Sequence, residues 1–158
     1  VPYAFGIMVE TPAAALRGAE MVKALSGRIE GAPAEAHPSH GFASFGTNDL
    51  TQTTLAISRD DAERFLPRYV ANKFFERHPF VSLDATVEIL VRRFVADARA
   101  VDPEFEIYIC GEHGGDLYTI ERLHQIGLTG ISMSPGKVCR SLIKAAQMQL
   151  HQPRTRGA

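Results

Sequence analysis

Cysteine is scarce in this sequence: Cys110 and Cys139 are the only two in 158 residues. That is too few for a disulfide framework, and a reducing, cytoplasmic setting is the expectation. Charge of one sign is also missing. Seventeen basic residues against 18 acidic ones leave a formal net charge of −1. That excludes a chain-wide grip on nucleic acid or on an anionic membrane, and leaves room only for a local basic pocket. No apolar run approaches the ~18–20 residues of a membrane span, and no basic segment leads into an apolar one as in a secretory signal. Internal repeats and low-complexity tracts are lacking too. What is there suffices for a core, with 45% hydrophobic and 22% charged residues in one domain's worth of chain. The sequence opens on Val1 and turns apolar at once, which reads as a start inside a longer protein.

Hydrophobic pattern and turn residues divide the chain into strand–helix units. Tyr3–Val9 (YAFGIMV) is apolar on both faces, as a buried parallel strand is. Thr11 and Pro12 then offer an N-cap and a first helical residue. A helix is expected from Ala13 to about Leu25, with Ala14, Met21, Val22 and Leu25 on one face. Ser26–His40 reads as a loop. Gly41–Phe45 is a second strand, and a helix is expected from Leu50 to about Ile57. Short helices fill residues 60–79. Asp84–Ala100 carries the stripe Val87, Leu90, Val91 and Phe94, with Arg92, Arg93 and Arg99 outward. Phe105–Cys110 is the third strand, followed by a helix from Leu117 to Gln125 that Gly127 closes. Thr129–Met133 is the fourth strand. A last helix covers Val138–Leu150, and residues 151–158 form a fraying tail. Strand then helix, about four times, describes a parallel sheet covered by helices.

Reactive side chains gather just after the strands: Glu10; Asn48 and Asp49; Cys110, Glu112 and His113; Ser132 and Ser134. In a β/α barrel those positions line one face, where active sites lie. Glu10 and Asp49 form a hard-oxygen pair suited to Mg²⁺, unless each only caps its own helix. Gly46, Thr47, Asn48 and Asp49 offer successive backbone N–H groups as an anion cradle, or an ordinary glycine turn. Cys110 is a candidate nucleophile or acid–base group, or a small apolar filler. Arg59 either reaches the same mouth to hold an anion or is solvated. His113 reads as a structural hydrogen-bonding group, and Cys139 as packing. Cys110, Cys139 and His113 lack zinc-ligand spacing.

GIMVETPAA (Gly6–Ala14), SFGTNDLTQTTLAISRDD (Ser44–Asp61), FLPRY (Phe65–Tyr69), PFVSLD (Pro79–Asp84) and CGEHGGD (Cys110–Asp116) together resemble a known family. It is the phosphoenolpyruvate/pyruvate-binding domain that pyruvate, phosphate dikinase shares with phosphoenolpyruvate synthase and with enzyme I of the sugar phosphotransferase system. The forms SFGTNDLTQTTL and GEHGGD look like the dikinase. The resemblance implies Mg²⁺ on Glu10 and Asp49, substrate held by Gly46, Thr47, Asn48 and Asp49, and Cys110 as proton donor to the enolate carbon. Arg59 matches an arginine that helps hold the substrate phosphate in the enzyme I relatives. Two departures stand out: Gly130 where the family has tyrosine, and Gly136–Cys139 where it has aromatic-Arg-Val-Pro.

The expectation is therefore an α/β domain over residues 1–150: the last four or so β/α units of a TIM-type (β/α)8 barrel, open as a half-barrel. Val9, Phe45, Ile107, Ile109 and Ile131 would line its half-covered interior. The function implied is Mg²⁺-dependent phosphoryl transfer between a phosphohistidine and pyruvate or phosphoenolpyruvate, by a piece inactive on its own. Expected partners are the phosphohistidine and ATP-binding domains and, for the complete enzyme, a second copy, with no nucleic acid or membrane. The alternatives are a phosphoenolpyruvate synthase fragment, or a non-catalytic remnant that binds an oxyacid or mediates dimerisation.

Overall fold

The structure is a computed structural model that describes residues 4–26 and 41–151. Residues 27–40 of the expected loop and residues 152–158 of the expected tail lie outside the described residues. Four strands form one parallel sheet in sequential order: β1 (Gly6–Val9), β2 (Phe42–Gly46), β3 (Glu106–Cys110) and β4 (Gly130–Ile131). Sequential parallel order with helical crossovers makes this α/β sheet consistent with part of a β/α barrel.

Thr11 caps the first helix, its hydroxyl accepting the Ala14 N–H at 3.2 Å, and Pro12 stands at the first helical position. The single helix expected to Leu25 is instead two, α1 (Pro12–Ala15) and α2 (Gly18–Ser26). The chain has to re-aim there, because it passes directly against α6 (Ala85–Val101): a Cβ on Gly18 would sit 2.9 Å from the Phe94 carbonyl oxygen. The next helix, α3 (Thr47–Leu55), begins three residues before Leu50. Thr47 and Thr51 are buried beside Leu50, so the polar NDLT stretch belongs to the helix and not to a preceding turn.

Two short helices, α4 (Arg59–Ala62) and α5 (Leu66–Ala71), build a small satellite core of Ala62, Leu66 and Phe80. α6 places Val87, Val91 and Phe94 in the main core, as its stripe requires. Arg99 is not simply outward; it donates to the carbonyls of Pro103 and Gly127. α7 (Leu117–Ile126) ends on Gly127 at φ 86°, a conformation that favours glycine. β4 is two residues long, not five, and α8 (Pro135–His151) begins at Pro135, earlier than Val138. Proline's fixed φ and missing N–H suit a first helical turn, which draws the helix start back to it.

The interior residues also turn out differently from expectation. Val9, Phe45, Ile107 and Ile109 are fully buried, and Ile131 partly, against the helices. Phe45 meets Phe94 of α6 edge to face at 5.3 Å. Strand side chains alternate, so the opposite face carries Met8, Ser44, Tyr108 and Gly130 in one row, with Gly46 opposite Cys110 in the next. No helix among the described residues adds to a core on that second face. The heavily apolar face had to be the one that α1, α2, α3, α6 and α7 cover.

Candidate active site

The site lies where the strands end. Glu10 follows β1, Gly46 ends β2 and Cys110 ends β3, with Gly46 and Cys110 paired in register. A Cβ built on Gly46 would sit 2.4 Å from Glu10 Oε1 and 2.7 Å from its Cγ. The Glu10 carboxylate therefore lies across the end of β2. The Thr53 hydroxyl of α3 is within hydrogen-bonding reach of the Glu10 carbonyl (3.1 Å) and the Asp49 carbonyl (2.8 Å). It fastens the residue after β1 to the first turn of α3. Asp49 is exposed in that turn.

Gly46 is the N-cap of α3, and no side chain among the described residues caps that helix. Its first N–H groups are thus free of a side-chain acceptor, as an anion site requires. The Asn48 side-chain oxygen is buried with no hydrogen-bond partner among the described residues. Cys110 is half-buried, its thiol donating to the Phe45 carbonyl at 3.5 Å. Gly111 follows at φ 108°, and a Cβ there would approach Thr47 Oγ1 to 2.9 Å and the Asn48 amide to 3.5 Å. The cysteine loop and the first turn of α3 are in contact at a residue that only glycine fills without strain.

His113 stands behind this contact, fully buried in a single 3-10 turn (Glu112–Gly115). Its Nε2 lies 2.8 Å from the Pro79 carbonyl and its Nδ1 2.7 Å from the Thr47 hydroxyl. The carbonyl can only accept, so Nε2 carries the proton, and in the neutral ring Nδ1 accepts from Thr47. The same hydroxyl is 3.0 Å from the Cys110 carbonyl, so its one proton is shared between that carbonyl and Nδ1. Burial pushes the His113 pKa below its ordinary value, against the smaller opposing effect of the Pro79 carbonyl. Both ring nitrogens are committed to structure, as the residue pattern suggested. Asp116, last residue of CGEHGGD, is structural too: it caps α7 and accepts from Thr119 and Ser82.

Arg59 opens α4, and its guanidinium lies 3.7 Å from the Glu112 carboxylate. Lys137 of α8 reaches the same carboxylate at 3.4 Å. Sequence reasoning gave neither Thr47 its tie to His113 nor Lys137 its place here. The partners lie 66 and 25 residues apart, and no local pattern links them. Cys139, expected to pack, is exposed on α8.

Among the described residues, no group of three or more His, Cys, Asp or Glu is placed to hold a metal ion. Glu10 and Asp49 are hard-oxygen donors of the type Mg²⁺ takes, since that ion uses one or two carboxylates and fills its other positions with water and substrate oxygens.

A parallel β/α sheet with a carboxylate, an uncapped helix start and a thiol at the ends of successive strands has the layout of β/α enzyme domains, whose sites lie at strand ends. Residues 1–150 match the family described as PEP-utilising enzyme, PEP-binding domain, and the chain belongs to that family. It is similar to the pyruvate, phosphate dikinase of Clostridium symbiosum, at 42% identity over 94% of this chain and 15% of that protein. The pyruvate, phosphate dikinase of Entamoeba histolytica is 40% identical over 98% of the chain and 16% of that protein. The chloroplastic pyruvate, phosphate dikinase 1 of Arabidopsis thaliana is 40% identical over 94% and 14%. The chain thus spans about one sixth of the length of these relatives. No helix among the described residues is long and apolar enough to cross a membrane.

Proposed function

We propose that this chain supplies the pyruvate and phosphoenolpyruvate end of a dikinase-type phosphotransferase, working in the cytoplasm. The complete barrel would add the strands that precede β1, and the enzyme would add phosphohistidine and ATP-binding domains and pair with a second copy. The observation that carries this reading is the convergence of Glu10, the uncapped start of α3 and Cys110 at one row of strand ends.

Glu10 and Asp49 would hold Mg²⁺, which when bound supplies positive charge against the charge that develops on the substrate's oxygens. The N–H groups of Thr47, Asn48 and Asp49 orient the carboxylate or phosphate of the substrate, and Asn48 offers its amide to the same group. Arg59 adds a cation from the rim. In the direction of phosphoenolpyruvate formation, the Cys110 thiolate takes one methyl proton from pyruvate. The enolate oxygen forms a bond to phosphorus as the phosphorus–nitrogen bond of phosphohistidine breaks. In reverse, the Cys110 thiol returns the proton to the same carbon. Gly111 and the Thr47 contact fix where that sulfur stands.

In the full-length protein, Cys110→Ala is expected to abolish exchange of the pyruvate methyl protons with deuterium while nucleotide-driven phosphorylation of the histidine continues. Cys110→Ser should be nearly as damaging, because a hydroxyl titrates far above a thiol. Exchange that persists in Cys110→Ala would refute the proton-transfer role. Wild-type protein that binds the oxyacid without any exchange would indicate a non-catalytic binding module.

A further inference from the structure

Two separate segments converge on one carboxylate of the cysteine loop. Glu112, two residues after Cys110, faces Arg59 from the start of α4 and Lys137 from the first turn of α8. The two contacts are unequal. Arg59 and Glu112 stand at 3.7 Å, an ion pair beyond hydrogen-bond length, with both side chains about half exposed. Lys137 reaches two oxygens of the same residue, the carboxylate at 3.4 Å and the carbonyl at 3.5 Å.

The path of Lys137 is built into the fold. A Cβ on Gly115 would sit 1.9 Å from Lys137 Cδ, so the lysine stem runs across the space this glycine leaves open. The neighbouring Arg140 donates to the Gly115 carbonyl at 2.7 Å and secures the start of α8 on the 3-10 turn. The Lys137 N–H also donates to the Ser134 carbonyl at 2.9 Å, fixing its backbone.

We propose that Lys137 is a positioning residue for anion binding at this mouth, holding the Glu112 carboxylate when the substrate's anionic group takes Arg59 from it. The proposal rests on the reading of Arg59 as a substrate contact. Without Lys137, Glu112 has one cation left and competes with the incoming anion for it. With Lys137, the carboxylate stays neutralised throughout the exchange. The looser of the two pairs is the one that opens. Because Lys137 acts through Glu112, its effect must vanish when Glu112 carries no charge.

The test measures phosphoenolpyruvate binding by calorimetry in the presence of Mg²⁺, using the full-length protein. Arg59→Met is expected to weaken binding about tenfold, the scale of one charge-assisted contact. Lys137→Met should weaken it about two- to five-fold, as an exposed ion pair allows, and Lys137→Arg should restore it. Glu112→Gln should tighten binding, and adding Lys137→Met to that background should change nothing. A lysine with a merely structural role would weaken binding equally in both backgrounds, and that result overturns the proposal. An unchanged or weaker affinity in Glu112→Gln overturns it as well, and stands even where Lys137→Met fails to fold. If Arg59→Met has no effect, the reading of the site itself fails. If Arg59→Met weakens binding and Lys137→Met does not, only the present inference fails.

Discussion

Gly46 has no side chain because Glu10 occupies the place where one would begin. A methyl group there meets Glu10 Oε1 at 2.4 Å and Cγ at 2.7 Å, so Gly46→Ala must turn the carboxylate away from the end of β2. The far end of a glutamate can move, and the thermal midpoint should change little. Mg²⁺-dependent substrate binding should fall about tenfold or more, the loss of a charge-assisted contact, as calorimetry with and without Mg²⁺ would show. A variant with full Mg²⁺-dependent binding would detach Glu10 from the metal. Among the site residues, the chemistry-bearing ones were legible from their types and their positions after strands. Their supporting partners were not. Nothing near Thr47 in the sequence announces that its hydroxyl meets His113 and the Cys110 carbonyl.

At the scale of elements, the 3-10 turn after Cys110 joins three parts of the chain through one imidazole, and that gives the fold a pH dependence. Burial depresses the His113 pKa below 6.5, while Asp116 and Glu112 raise it and Arg59 lowers it to smaller extents. Below about pH 6.5 the unfolded chain takes up a proton that the folded chain refuses, so stability present above that pH is lost as the pH falls. The melting temperature of the wild type should drop on acidification from pH 7 toward pH 5 more steeply than that of His113→Gln. Equal slopes would show that the ring is not the group responsible. A second tie joins α6 to α7. Glu88 is buried on α6 and accepts from Arg92 of its own helix and from Arg122 of α7. Arg122→Met should destabilise by about 1–3 kcal/mol, the cost of a buried acceptor left short of a partner. Arg92→Met, at a more exposed pair, should cost under about 1 kcal/mol in the same denaturant titration. Helix α6 was readable from its 3.6-residue stripe. The split between α1 and α2 was not, because the close pass of Gly18 over Phe94 is made by residues 76 positions apart.

At the scale of the whole molecule, the sheet has two outer edges, on β1 and on β4, with no strand partner among the described residues. The sheet face opposite the core leaves Met8 48% exposed, and α8 exposes Leu142 and Ile143 by more than 60%. Open parallel edges and exposed apolar side chains such as these invite association. The 158-residue chain by itself should therefore self-associate, seen by light scattering as species larger than 17.3 kDa. A stable monomer with one sharp thermal transition would overturn this. At the edge, Gly130 also has a spatial reason: the Tyr108 ring lies 2.8 Å from where its Cβ would be.

The sequence by itself determined the order of strands and helices, the caps at Thr11 and Gly127, and the gathering of Glu10, Asn48, Asp49 and Cys110 after strand ends. These are local facts, set by side-chain period, turn chemistry and motif. Only the tertiary structure decided which face of each strand is buried. Val9, Phe45, Ile107 and Ile109 turn toward the helices because helix packing, not strand pattern, supplies the apolar cover. It also decided that Arg59 and Lys137 share Glu112, since ion pairs between distant segments depend on where whole elements come to rest.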